Sequence, residues 1–243
     1  MAIAPNPRVF LDVAAGRRAI GRIKFELFHD VLPITAENFR CLCTGETGLG
    51  YWLRPRWYKD TRFHRIIPKF MCQGGDFNFG NGTMGESIYG QYFRDEKFVY
   101  KHSRRGVLSM ARTRRVNTNN SIFFITFAPC PWLDGRHVVF GQVTEGMDVL
   151  DAIEESGTES GIPRRKVWVY NSGEEDRLQL RREALEAPVL GAAGAPAGAA
   201  GLEAAGEGAP LLERPAAHPH HDEISPVPSE VWRRAKARRD SML

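Results

Sequence analysis

The chain has 243 residues, 42% hydrophobic and 26% charged, enough apolar material for one sizeable core with length left over. Its formal charge of +4 comes from 33 basic and 29 acidic residues scattered along the length, a mild balance that allows nucleic-acid binding without indicating it; no run of about 20 apolar residues could span a membrane. Cys41, Cys43, Cys72 and Cys130 form no CxxC pair and are too sparse for a disulfide scaffold, so they read as reduced core fillers. Met1 to Val9 carries two prolines and no apolar run, so no leader is visible; an intracellular protein is expected, with the cytoplasm as the default compartment.

Val9, Leu11 and Val13 alternate with Phe10 and Asp12, Gly16 interrupts, and Ile23, Phe25 and Leu27 resume the pattern against Arg22, Lys24 and Glu26. This predicts a β-hairpin with one buried face. From Pro33 the period lengthens: Ala36, Phe39 and Cys43 behind Thr35, an expected N-cap, predict a short amphipathic helix closed by Thr44-Gly45. Residues 45–60 read as a loop in which Trp52, Arg54, Arg56, Trp57, Tyr58 and Lys59 interleave rings and cations. Such a pattern can stack single-stranded nucleic acid, but aromatics of an exposed loop more often fold back on their own domain, and no nucleic-acid partner is expected.

The stretch Phe63 to Phe77 concentrates the chemistry. With a bend at Arg65 and a strand over Phe70 to Gln73, the two-residue period sends Met71 and Gln73 to one face and Phe70 and Cys72 to the other, unless a twist or bulge brings Phe70 across. The result is an apolar slot for a small ring, edged by a cation and an amide. Gly80 to Gly85 spells G-x-G-x-x-G, but Ser87-Ile88-Tyr89-Gly90 does not open a helix, so the glycines predict a tight loop instead of a dinucleotide site.

Strands are predicted at Val107–Ala111, Ile122–Phe127, Val138–Val143 and Lys166–Tyr170, with a second helix carrying Val149, Leu150 and Ile153 after Gly146. Many short strands with two helices predict a closed antiparallel barrel capped at its ends. Beyond Gly173 the composition changes to a charged, helix-compatible stretch over 174–187, an Ala/Gly/Pro-rich linker over 188–221, and a basic segment over 231–239 around Trp232. That end is either a solvated tail or a docking peptide anchored by Trp232.

Phe63 to Phe77, Asn117 to Ile125 and Trp132 to Gly141 together resemble the signature of the cyclophilins, peptidyl-prolyl cis-trans isomerases, and the resemblance runs over residues 6–173. It implies a mainly β fold, a closed antiparallel eight-stranded cyclophilin-like barrel capped by two helices, followed by a largely irregular extension over 174–243. It further implies rotation about X-Pro bonds in peptides or proteins, with no metal and no cofactor. Carried onto this sequence, it makes Arg65, Phe70, Gln73 and His137 catalytic and gives substrate binding to Met71, Ala111, Phe124, Trp132 and Leu133. Trp132 also implies binding of a cyclosporin-like ligand.

The chain departs from the family at several positions. Ile122 stands where a Gln is usual, Asn120 and Met84 replace glycines, and Arg112-Thr113-Arg114-Arg115-Val116 lengthens a loop that is normally Asn-Ala-Gly-Pro. The alternative reading is therefore a non-catalytic proline-peptide-binding or structural subunit of a larger assembly, attached through its loops and tail.

Overall fold

The structure is a computed structural model that describes residues 6–176. The linker, Trp232 and the basic end of the sequence lie outside the described residues.

The first hairpin follows from alternation. β1 (Arg8–Ala15) and β2 (Arg18–Leu27) pair antiparallel with Val9 opposite Phe25 and Leu11 opposite Ile23. Val9, Leu11, Val13, Ile23, Phe25 and Leu27 are all fully buried, one face of a two-residue period.

α1 (Pro33–Thr44) begins at a proline, whose fixed φ suits a first helical turn, and stops at Gly45, whose φ of 74° ends the helix with its N–H donating to Cys41 O at 2.8 Å. Thr35 is not the N-cap. That position falls to Leu32, which has no side-chain acceptor, and Glu96 caps the helix from elsewhere in the chain: its carboxylate accepts from Ile34 N at 3.1 Å, Thr35 N at 2.7 Å and Thr35 Oγ1 at 2.6 Å. Phe39 of α1 sits at the centre of the core, its ring 5.0–6.0 Å from those of Phe25, Tyr58, Phe123 and Phe140.

Six more strands and one more helix follow: β3 (Arg65–Ile67), β4 (Met71–Gly74), β5 (Val107–Met110), β6 (Phe123–Thr126), β7 (Val139–Glu145), α2 (Met147–Glu154) and β8 (Val167–Glu174). The eight strands form one antiparallel sheet in the order β3-β4-β6-β5-β7-β2-β1-β8. Register shifts at Asp12/Val13, Val13/Ala14, Lys24/Phe25 and Leu108/Ser109 add local twist and curl it around the core. The ladder ends at β3 and β8; the residues just before β3 touch β8 through the bridge Arg62–Trp168 and through Phe63 N donating to Val167 O at 2.9 Å.

α1 lies against β8, β1 and β7, and α2 against β2, β3 and β4, burying Val149, Leu150 and Ile153. The interleaved loop folds back on the domain: Trp57 Nε1 donates to Cys43 O at 2.9 Å, and the fully buried Tyr58 donates its hydroxyl to Ser121 O at 2.7 Å. All four cysteines are free and buried. No helix of the described residues is long and apolar enough to cross a membrane.

Candidate functional site

The strands β3, β4, β6 and β5 are covered on both faces. Ile66, Cys72, Ile125 and Leu108 are partners along one row of the ladder and point into the main core. The next row is shifted by one residue, so its side chains point the other way: Arg65 opposite Gln73, Gln73 opposite Phe124, Phe124 opposite Ser109. Met71 lies two residues from Gln73 and shares that outer face. A second apolar cluster forms there from Met71, Ala111, Ile122, Phe124, Cys130 and Leu133, with Ile67 and Phe70 packed against it.

Phe70 reaches this cluster because it is not part of the strand. The chain turns tightly between Ile67 and Phe70, Phe70 N donating to Ile67 O at 3.1 Å, with Lys69 at φ 61° and its N–H donating to Glu154 Oε1 at 2.7 Å. That turn frees Phe70 from the alternation and sets it beside Met71.

The rim comes from the segment after β6. A short 3-10 turn, Pro131–Leu133, buries Leu133 in the cluster and leaves Trp132 51% exposed, its ring centroid 5.9 Å from that of Phe70. His137 closes the far side, edge-on to Phe124 at 5.4 Å, with Nδ1 at 3.0 Å from Met110 O. A carbonyl can only accept, so Nδ1 carries the proton. The stem of Arg65 crosses Gly161, where a Cβ would stand 2.9 Å from Arg65 Cγ.

All nine residues singled out from the sequence thus lie on one face: Arg65 and Gln73 on adjacent strands, Phe70, Met71, Ala111, Phe124 and Leu133 in or against one cluster, Trp132 and His137 at its edges. Ile122, read as a departure from the family, is fully buried in that cluster as a further apolar wall.

Three residues behind the site escaped the sequence reading. His102 is fully buried and stacked on Phe124, with ring centroids 5.7 Å apart and planes at 11°. Its Nδ1 meets Asp134 Oδ1 at 2.9 Å and its Nε2 meets Ser109 Oγ at 3.0 Å. Burial keeps the imidazole pKa below its ordinary value against the pull of Asp134, and a neutral ring donates from Nδ1 to that carboxylate. The order Ser–His–Asp is that of a hydrolytic triad, yet Ser109 and His102 are both sealed beneath Phe124. The trio is a scaffold: it ties the Trp132–Leu133 turn, through Asp134, to the row carrying Phe124.

The glycine loop beside the site is organised by Asp76. Its buried carboxylate accepts from six backbone N–H groups, those of Asn78, Phe79, Asn81, Gly82, Thr83 and Met84, at 2.9–3.3 Å. Asn120 lies against Gly85, where a Cβ would stand 2.4 Å from its Oδ1, and Met84 is buried alongside. Among the described residues, Glu37, Cys41 and Glu46 bring potential metal ligands together, but the Arg40 guanidinium occupies the cluster, 2.8 and 2.6 Å from the two carboxylates. An ion-pair network stands there, and burial pushes the Cys41 thiol up to about 12.

The site therefore sets a cation and an amide beside an apolar cluster, and the Ser109–His102 pair behind it is fully buried. A family model described as cyclophilin type peptidyl-prolyl cis-trans isomerase/CLD matches residues 10–174, about two thirds of the chain.

Proposed function

The chain belongs to the cyclophilin-type peptidyl-prolyl cis-trans isomerases, enzymes that act on proline-containing peptides, and from that membership we propose that it turns X-Pro bonds by a non-covalent mechanism centred on Arg65. Rotation about the imide bond meets a barrier of ~18–20 kcal/mol set by amide resonance, and the uncatalysed exchange takes tens of seconds or longer. Reaching milliseconds requires about four decades, or roughly 5 kcal/mol.

No bond breaks, so the protein has only to favour the twisted amide, in which the nitrogen lone pair is localised and basic. The Arg65 guanidinium donates to that lone pair, and a charged hydrogen bond contributes about 1.5–3 kcal/mol. The rest comes from taking the planar amide out of water and gripping the pyrrolidine ring while its neighbour swings. In this mechanism Phe70, Met71, Ala111, Phe124 and Leu133 hold the ring, Gln73 orients Arg65 or the substrate backbone, and His137 bounds the slot.

The observation that carries this reading is the ladder row that sets Arg65, Gln73 and Phe124 side by side at the edge of an apolar cluster outside the main core. Trp132, exposed beside Phe70, supports a cyclosporin-like ligand at the same rim. Exchange NMR on a proline peptide with the full chain tests both ideas. Catalysed exchange that cyclosporin abolishes is expected; exchange equal to the blank, with the peptide still bound, would leave a proline-binding subunit.

A further inference from the structure

We propose that Glu154 and Arg105, outside the apolar cluster, are positioning residues that set Phe70 against it, a proposal that deepens the isomerase reading and rests on it. Phe70 reaches the cluster through the turn that follows Ile67, and that turn holds an unfavourable backbone: Lys69 has φ 61° and, unlike glycine, carries a Cβ. Such a backbone persists where surrounding groups hold it. The turn's own bond, from Phe70 N to Ile67 O, leaves the Lys69 N–H to another acceptor.

Glu154, the last residue of α2, is that acceptor. Its Oε1 accepts from Lys69 N at 2.7 Å, and its Oε2 accepts from Arg105 Nη1. Arg105 is fixed in turn. Its Nη2 donates to Asp151 Oδ1 of the same helix at 2.6 Å, and its Nη1 donates to Phe127 O at 3.0 Å, with the guanidinium carbon 5.2 Å from the centre of the Phe127 ring. Phe127 N then donates to Phe70 O at 2.8 Å. This chain of bonds grips the backbone on both sides of the Phe70 side chain, at the N–H before it and at its own carbonyl. Phe127 belongs to the main core, so Phe70 is referred to the interior of the sheet.

The segment that leaves α2 backs the same region. Thr158 N donates to Ile66 O at 3.2 Å, Ile66 N donates to Gly161 O at 2.9 Å, and a Cβ on Gly157 would stand 2.8 Å from Ile66 Cγ2 and 3.0 Å from Pro68 Cδ. Residues 154–161 therefore meet the site twice, with Gly161 against the Arg65 stem and Glu154 on the turn that carries Phe70. Val149, Leu150 and Ile153 already bury the apolar face of α2. What the Glu154–Arg105 pair adds is the shape of the turn.

The test is a double-mutant cycle read by exchange NMR on a synthetic Ala-Ala-Pro-Phe peptide, using the full chain as parent, Glu154→Ala, Phe70→Ala and the two combined. If Glu154 acts through Phe70, Glu154→Ala lowers kcat/KM about tenfold in the parent and less than about twofold once the Phe70 ring is gone. Loss of folded protein would lower kcat/KM by the same factor in both backgrounds. An equal factor, or no loss in the parent, would therefore overturn the proposal and leave the isomerase reading standing. Arg105→Ala gives a second cycle should Glu154→Ala fail to fold, with about fivefold expected in the parent and less than about twofold without the ring. If the parent turns over no peptide, the same cycle is read in peptide Kd: an effect that depends on the Phe70 ring upholds the proposal and overturns the isomerase reading, and its absence overturns both.

Discussion

The Arg65 side chain is placed by what lies under it. Gly161, at φ 84°, leaves room for the arginine stem, and a methyl group there would press on Cγ from 2.9 Å while also straining the backbone. Gly161→Ala is therefore expected to lower kcat about tenfold by moving the guanidinium about 1 Å, with KM nearly unchanged because the apolar slot is untouched. Equal loss in kcat and rise in KM would mean that the slot itself had shifted. His64 offers a separate handle on stability. Burial holds its pKa at about 4 in the folded chain, against an ordinary value near 6.5. Because the folded value is the lower one, the unfolded chain takes up the proton first as pH falls; His64 costs nothing above about 6.5 and removes up to about 3 kcal/mol by pH 4. Urea unfolding of His64→Gln at pH 7 and 4.5 should show a smaller pH-dependent loss than the parent chain; identical losses would refute this.

At the scale of elements, two carboxylates organise backbone that cannot organise itself. Glu96→Ala removes the acceptor for the α1 N-terminus and is expected to cost about 1–2 kcal/mol in chemical denaturation. Asp76→Ala strands the buried N–H groups of Asn78, Gly82 and Met84 and is expected to cost about 3 kcal/mol or more. A loss below about 0.5 kcal/mol in either variant would show that water or another acceptor takes over. These elements also mark how far the sequence was legible. The first hairpin could be read because Val9, Leu11, Val13 and their partners follow a strict alternation against one core. The capping of α1 could not, because Thr35 looks like a local cap and Glu96 lies 61 residues away. The two-residue period set Phe70 opposite Met71 unless a twist or bulge intervened, and it could not decide between them because a left-handed Lys69 turn leaves no mark in a residue pattern. His102 was missed for the same reason as Glu96: Ser109 and Asp134, which hold it, are 7 and 32 residues distant and meet only when β5 and the Pro131 turn pack together.

At the scale of the whole molecule, one curled sheet of the described residues buries both faces of β3, β4, β6 and β5, the inner against the core around Phe39 and the outer beneath the apolar cluster of Met71, Phe124 and Leu133. The residues singled out from the sequence were read as a set because Phe63 to Phe77, Asn117 to Ile125 and Trp132 to Gly141 carry them in compact motifs, and the ladder sets Arg65, Gln73 and Phe124 of the first two side by side. The most direct test of the account is exchange NMR on a proline peptide with the full chain carrying Arg65→Ala. If the guanidinium stabilises the twisted amide, kcat falls by roughly ten- to a hundredfold, the equivalent of one charged hydrogen bond, while the peptide still binds. A kcat equal to that of the parent chain would contradict the account at its centre.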